Sequence, residues 1–246
     1  MGSGLNAIAY STDGLSWTGS VSGNATFTNA EAVAWNGKQW VAVGTPRDGT
    51  NAIAYSANGI TWTAISSTIF STQGNGVAWT GSLWVAVGQG TNTIAYSSDG
   101  MSWIGLGTAI FSVSGHGICW NGTRWVAVGT GASHTIAYST NGIVWTGFGK
   151  TLFPTSGNDV CWTGTRFVAV GDGSMIVYSQ DGLTWYAAPS GIFSTQGYGV
   201  AGNPRIGATV SDSQVALSDS LDVVTDTYYN TGYTNFSATI QSQTLS

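Results

Sequence analysis

Charged side chains are scarce in this 246-residue sequence: they make up 7% of it, and lysine and arginine together number six. A protein that follows a nucleic-acid backbone needs a stripe of such cations, so we expect no nucleic-acid partner. Long apolar runs are also missing. None approaches the roughly 18 residues that a membrane-spanning helix needs, so we expect no membrane insertion. The opening MGSGLNAIAY lacks the charged and apolar regions of a signal peptide, which leaves the localisation unknown.

Cysteine and histidine contribute only two residues each. Cys119 and Cys161 occupy the same place in the related segments GHGICW and GNDVCW, where similar segments carry alanine. We interpret them as small interior residues, because equivalent positions on adjacent units need not lie within disulfide reach. His116 and His134 fall one to a loop, and no cysteine pair or paired carboxylates with metal-ligand spacing accompany them, so we expect neither a metal site nor another cofactor.

Aromatic residues and glycine are abundant, and many of them belong to an eight-residue stretch that recurs five times. Its copies read YSTDGLSW, YSANGITW, YSSDGMSW, YSTNGIVW and YSQDGLTW, and they begin at Tyr10, Tyr55, Tyr96, Tyr138 and Tyr178. A spacing of about 40 to 45 residues is typical of a four-stranded propeller blade. We call this stretch the box.

Each unit reads as four short strands, which we name A to D in chain order. Segments such as GVAW and WVAVG alternate with Asn-Gly, Thr-Gly or Asp-Gly turns, a pattern that predicts antiparallel hairpins. No segment has a clear helical period. The fold class is therefore all-β, and a single-domain β-propeller is the leading architecture because radial repetition limits the number of exposed sheet edges. A β-sandwich array is the less favoured alternative.

The two ends of the chain predict how the ring closes. Residues 28–70, 71–111, 112–153 and 154–194 form complete units, the chain begins with strands C and D alone, and residues 195–212 contain a final A and B pair. Joining 195–212 to 5–27 gives a fifth blade. Six blades are the alternative, because QVALSDSLDVV in the tail, residues 213–246, resembles a degenerate C and D pair and SATIQ can supply another strand. The tail can also serve as an anchor.

The box resembles the Asp-box, or BNR-like, repeat of sialidase and sortilin propellers, although here the glycine follows the Asp or Asn directly. That resemblance implies a propeller in which the box is a structural turn between strands C and D. The residues favour the same role, since Asp or Asn oxygens can accept the turn's own N–H groups and glycine adopts positive φ. We expect inward packing of the box tryptophans, namely Trp17, Trp62, Trp103, Trp145 and Trp185, and a positive φ at Gly100.

The two faces of the ring differ in regularity. The A–B turns and the boxes repeat closely on one face, whereas the D–A and B–C links on the other face vary between copies. Variable loops on a rigid scaffold are where binding concentrates. We therefore predict a ligand site on the second face, just before each A strand, formed by Glu31, Asn75, His116, Asn158 and Tyr198. The alternative is that these are ordinary solvated loop residues.

Catalysis is not expected. A sialidase-like site needs clustered arginines, but Arg124, Arg166 and Arg205 fall on separate units, and Glu31 is the only glutamate. No paired carboxylates or other catalytic motif stands out. Short polar groups with aromatic faces favour a lectin-like module that binds a glycan. The alternative is a structural or attachment component that contacts another surface protein, outside the cell or on a virion, since the repeats also look like those in predicted proteins of large DNA viruses and environmental sequences.

Overall fold

The computed structural model describes residues 2, 6–65, 68–173, 175–188, 193 and 195–202, and the backbone of two further strands at 206–210 and 215–219. These residues form 21 strands and one short helix, which confirms the all-β class. In chain order the elements are β1 (Ala9–Tyr10), β2 (Thr18–Gly19), α1 (Val21–Thr26), β3 (Phe27–Trp35), β4 (Trp40–Pro46), β5 (Ile53–Ser56), β6 (Thr63–Ala64), β7 (Gln73–Trp79), β8 (Trp84–Gln89), β9 (Ile94–Ser97), β10 (Ile104–Gly105), β11 (Ser114–Trp120), β12 (Trp125–Thr130), β13 (Ile136–Ser139), β14 (Thr146–Gly147), β15 (Gly157–Trp162), β16 (Phe167–Gly171), β17 (Ile176–Ser179), β18 (Tyr186–Ala187), β19 (Gly199–Gly202), β20 (Ile206–Val210) and β21 (Val215–Asp219).

Four complete antiparallel blades follow the predicted A–B–C–D order. Blade 1 is β3–β6, blade 2 is β7–β10, blade 3 is β11–β14 and blade 4 is β15–β18. The central pairings repeat in register, so that Trp84 of strand B lies opposite Trp79 of strand A and Ser97 of strand C. A strands of successive blades lie beside one another, and one bridge between Ser114 and Gln89 joins blades 2 and 3 directly.

The ends of the chain pair locally. β1 pairs with β2, while β19, β20 and β21 form a separate three-stranded sheet. The predicted five-blade closure pairs β20 with β1. In the structure β21 pairs with β20 at that edge instead. Only four residues separate β20 from β21, so the entropic cost of bringing them together is small. Apart from β21, the tail predicted at residues 213–246, including SATIQ, lies outside the described residues.

The core lies between adjacent blades. Each of three clusters combines apolar residues of two neighbouring blades, and the one between blades 1 and 2 contains Val43, Phe70 and Trp84, all without solvent exposure. A buried phenylalanine recurs at the end of the D–A links as Phe70, Phe111 and Phe153. Such rings dominate core energetics because each removes a large apolar area from water.

The box tryptophans follow the prediction with one exception. Trp62 is buried, and Trp103, Trp145 and Trp185 are half-buried against the clusters between blades. Trp17 is 65% exposed, so the prediction of its burial was wrong for this arrangement. Trp17 is exposed because the β1–β2 hairpin forms a two-stranded sheet by itself. It has no strands A and B against which the Trp17 ring could pack.

Helix α1 is a local feature that the sequence pattern did not predict. Ser20 caps its N-terminus, where its hydroxyl accepts the Gly23 N–H at 3.1 Å. With six residues the helix is too short to show a helical period. It links the β1–β2 hairpin to blade 1.

Candidate ligand-binding site

The box is a turn in every described copy. Within the second blade's box the Ser97 hydroxyl accepts the Gly100 N–H at 2.8 Å, and one Asp99 carboxylate oxygen accepts the Met101 and Ser102 N–H groups at 2.7 Å. The backbone N–H of Ser102 is the main cause that lowers the pKa of Asp99 to about 2. Gly100 has a φ of 74°, as predicted. The boxed carboxylates therefore serve the turn.

Four of the five predicted site residues lie inside strands, which corrects their placement in loops before strand A. Glu31, Asn75, His116 and Asn158 each occupy the extra position of a β-bulge in the A strand, where the pairing register shifts by one residue. Tyr198 directly precedes β19. A bulge re-aims the side chain of the extra residue, and such irregularities are common beside binding sites.

Three of these side chains bond to the next blade. Each reaches a glycine carbonyl, in the pairs Asn75 with Gly115 (2.8 Å), His116 with Gly157 (3.0 Å) and Asn158 with Gly197 (2.8 Å). Gly115 and Gly157 precede the bulges of their blades, and Gly197 precedes Tyr198. We call these contacts the inter-blade staples. They show that the predicted site residues also have a structural role.

Glu31 and Tyr198 depart from this pattern. Glu31 is exposed, and among the described residues it makes no hydrogen bond or ion pair. An ionised carboxylate has no proton to donate, so it cannot form the staple that its neighbours form. Tyr198 is 47% exposed, and its hydroxyl accepts a hydrogen bond from the Gln196 side-chain amide at 2.6 Å.

The structure brings three of the five predicted residues together. An open pocket of about 440 Å³ is lined by Glu31, Gln73, Asn75, Gln89, Val113, Ser114 and His116. These residues come from the beginnings of A strands, the end of a B strand and a D–A link, so the pocket opens on the predicted face. Asn158 and Tyr198 do not line it but continue the same row towards β19. The sequence did not point to Gln73 or Gln89, because both look like ordinary strand-end residues.

The state of His116 follows from its contacts. A carbonyl oxygen only accepts hydrogen bonds, so Nδ1 must carry the proton that it shares with the Gly157 carbonyl. Burial lowers the pKa of His116 below its usual value, which keeps the ring neutral at pH 7. In this tautomer Nε2 is an acceptor.

Asp159 is a functional candidate that sequence reasoning missed. It follows the bulge of blade 4 at a position filled by Gly76 and Gly117 in the two preceding blades. Its carboxylate accepts the Val160 N–H at 2.8 Å and the Val200 N–H of β19 at 2.9 Å. Burial is the main cause that raises the pKa of Asp159 to about 6. The only sequence signal is an acidic residue where other copies have a small one.

Other chemistry within the described residues is sparse. No group of three or more His, Cys, Asp or Glu side chains in that part of the chain is arranged to hold a metal ion. Cys119 and Cys161 are free thiols, and burial raises the pKa of Cys161 to about 12. In the same part of the chain, we find no helix with the length and apolarity required to cross a membrane.

Comparison with known proteins identifies the fold only. No family model and no curated protein matches the chain. Among solved structures, a chain of the nidogen/laminin complex aligns with a TM-score of 0.60 and 14% identity, over 82% of this chain and 80% of that one. The WD40 β-propeller domain of Doa1 aligns with a TM-score of 0.54 and 14% identity, over 77% and 64% respectively.

A designed protein adds a third similarity. The computationally designed Ika8 protein aligns with a TM-score of 0.56 and 11% identity, over 78% of this chain, which spans 58% of that protein's length. Identities this low carry information about fold and none about function. Together with the repeated antiparallel blades, they show that the chain has a β-propeller-type fold.

Proposed function

We propose that this protein is a non-enzymatic, lectin-like propeller whose pocket at Glu31, Asn75 and His116 binds a glycan. The observation that carries this proposal is the pocket itself, whose volume of about 440 Å³ lies in the range of small-molecule sites. Amide, hydroxyl and imidazole groups line it. They suit the alternating donors and acceptors of sugar hydroxyls.

The inter-blade staples support this assignment because they hold the pocket wall rigid. Asn75 and His116 are anchored to the following blade before any ligand arrives. A preorganised site loses less conformational entropy on binding. Tyr198, further along the same row, offers an exposed aromatic ring on which a longer glycan can stack.

A ligand titration with matched variants tests the proposed function. Neutral mono- and disaccharides are added to the isotopically labelled protein, and we expect backbone resonances around Gln73 and Gln89 to shift saturably. Gln73→Ala and Gln89→Ala should weaken binding without unfolding the protein. In the box, Asp99→Asn is the control and should bind normally. Saturable shifts confined to the boxes would contradict the site assignment.

The second candidate is a structural or attachment component of a viral or cell-surface assembly. The observation that favours it is the exposed apolar surface of the β1–β2 hairpin and the adjacent helix, where Leu15 is 88%, Trp17 65% and Val21 86% exposed. Exposed apolar patches mark protein contacts. Concentration-dependent association by analytical ultracentrifugation, combined with no response to any sugar, would favour this function over the lectin-like one.

We also propose a finer architecture for the fold: an Asp-box-type ring of five blades, closed by β19 and β20 against β1 and β2. A contact that recurs on the box face supports it. The residue before strand B reaches the box of the next blade, where Gln39 donates to the Asp99 carbonyl at 2.6 Å and Arg124 donates to the Asp181 carbonyl. By this rule Arg166 of blade 4 contacts the first box, at Asp13, once the ring is closed.

A further inference from the structure

The row of bulge residues contains one chemical break. Asn75, His116 and Asn158 all donate a proton to a carbonyl of the next blade. Glu31 stands at the equivalent bulge of blade 1, and its carboxylate cannot do so. Three of the four bulges thus carry a hydrogen-bond donor. The fourth, at the pocket, carries the acceptor Glu31.

No cation of the described residues neutralises this carboxylate. Glu31 forms no ion pair with them. Arg47 lies in the B–C link of blade 1, and its guanidinium group donates to the Asn24 and Phe27 carbonyls at 2.8 and 3.1 Å. Lys38 lies in the A–B turn between β3 and β4, at the opposite end of the strands from the B–C link. The negative charge of Glu31 is thus available to a ligand.

The remaining polar groups of the pocket add acceptors beside Glu31. In the neutral tautomer fixed by the Gly157 carbonyl, Nε2 of His116 accepts hydrogen bonds. The side chains of Gln73 and Gln89 have no hydrogen bond to other described residues, so their amide oxygens and N–H groups can pair with a ligand. A ligand that complements this set presents several N–H donors at one point and hydroxyl groups around it.

We infer that the pocket selects a sugar with a free primary ammonium group, held by the Glu31 carboxylate and flanked by hydroxyl contacts to Gln73 and Gln89. This inference rests on the proposed lectin-like function and narrows its ligand class to amino sugars. A hydrogen bond between an ammonium group and a carboxylate is about twice as strong as one between neutral groups. The net charge of −5 also favours a cationic ligand over an anionic one.

Three related sugars test the inference by calorimetry or NMR titration: glucosamine, which is cationic, N-acetylglucosamine, which is neutral, and glucose. We expect glucosamine to bind roughly tenfold or more tightly than either neutral sugar, as one charge-assisted hydrogen bond implies. Added salt should weaken glucosamine binding and leave glucose binding nearly unchanged, since screening acts on the charge.

Glu31→Gln is the decisive variant because it keeps the shape and removes the charge. It should lower the affinity for glucosamine to that of the same variant for glucose, a far larger loss than any change in glucose binding. The variant should stay folded because the Glu31 side chain is exposed and makes no hydrogen bond or ion pair among the described residues. Its melting temperature verifies this. Methylammonium, which has no hydroxyl groups, should bind far more weakly than glucosamine.

The outcomes separate this inference from the proposed function. Equal binding of the three sugars at the pocket, or glucosamine binding that survives Glu31→Gln, overturns the ammonium assignment and leaves the lectin-like function standing. Absence of binding by every sugar overturns both. Tighter binding of N-acetylglucosamine than of glucosamine would show that the pocket recognises the acetyl group rather than a charge.

Discussion

Aspartate residues of this protein occupy two opposite environments. In the boxes, backbone N–H groups stabilise the ionised carboxylate, and they lower the pKa of Asp13 and of Asp99 to about 2. At Asp159 burial dominates and raises the pKa to about 6, although two backbone N–H groups oppose it. The same residue type therefore serves as a permanent turn acceptor in one place and as a titratable group between β15 and β19 in the other.

Asp159 should make folding stability depend on pH between about 4 and 6. The folded state holds the Asp159 proton more tightly than the unfolded chain, whose carboxyl has its ordinary pKa of 3.8. Stability from this residue is therefore fully present below about pH 4 and decreases as the pH rises to about 6, by on the order of 1 to 3 kcal/mol. Denaturant unfolding at pH 4, 5, 6 and 7 measures the slope, which Asp159→Asn should flatten.

The boxed aspartates provide an internal contrast to that measurement. Their lowered pKa values stabilise the fold above about pH 4, and this contribution is lost as the pH falls towards 2. Their effect therefore has the opposite sign and a separate pH range. A wild-type slope between pH 4 and 6 that persists unchanged in Asp159→Asn would contradict the assignment to this residue.

Gly100 should tolerate no side chain, for two reasons. Its φ of 74° is unfavourable for other residues, and an added Cβ would lie 3.0 Å from Nε1 of Trp84 and against the Gln39 side chain. We expect Gly100→Ala to reduce the free energy of unfolding by about 1 to 3 kcal/mol, measured by chemical denaturation. Gly149 has a φ of 80° and nothing within 4 Å of an added Cβ, so Gly149→Ala isolates the backbone contribution and should cost less.

At the scale of elements, the bulges were the main feature that the sequence did not predict. Hairpins, strand order and box geometry follow from local signals: Asn-Gly turns, alternation, and oxygens that can accept nearby N–H groups. A bulge inserts a residue and breaks the alternation, so Gly74-Asn75-Gly76 looks like a loop. The staples join residues about 40 positions apart in different units, and no local pattern encodes them.

The staples predict opposite effects of two substitutions at equivalent bulges. Asn158→Asp replaces the amide donor by a carboxylate that faces the Gly197 carbonyl, so it should destabilise the protein by about 1 to 3 kcal/mol. Glu31→Gln supplies a donor where none exists and should be neutral or stabilising. Thermal unfolding at pH 7 measures both. An unchanged melting temperature in Asn158→Asp would show that this staple contributes nothing to stability.

At the scale of the whole molecule, the first box is the place where the repeat pattern and the described arrangement differ. An added Cβ at Gly14 would meet nothing within 4 Å, whereas at Gly182, its equivalent in blade 4, it would meet Phe167, Arg124 and Val126. The first box thus lacks the neighbours that the boxes of blades 2, 3 and 4 gain from their own blade and the preceding one. In a closed five-blade ring Arg166 and strand β20 occupy those positions.

Comparison of Arg166→Ala with Arg124→Ala tests this closure. Both guanidinium groups lie over a tyrosine ring, at 5.5 Å from Tyr178 and 5.6 Å from Tyr138, so the two substitutions remove the same cation–π contact. Only Arg124 also bonds to a box carbonyl in the described arrangement. If the ring is closed by the first box, the two variants should lose similar stability, about 1 to 2 kcal/mol each in thermal or chemical unfolding.

Trp17 gives a second and independent measure of closure. Its ring is 65% exposed beside the isolated β1–β2 hairpin, and removing an exposed ring costs little. In a closed ring Trp17 packs between blades as Trp103 does, and Trp17→Ala should then cost about 3 kcal/mol or more, comparable to Trp103→Ala. A negligible cost of both Trp17→Ala and Arg166→Ala would contradict the five-blade ring. It would favour the six-blade alternative, in which β21 keeps its place on β20 and the first box needs a different partner.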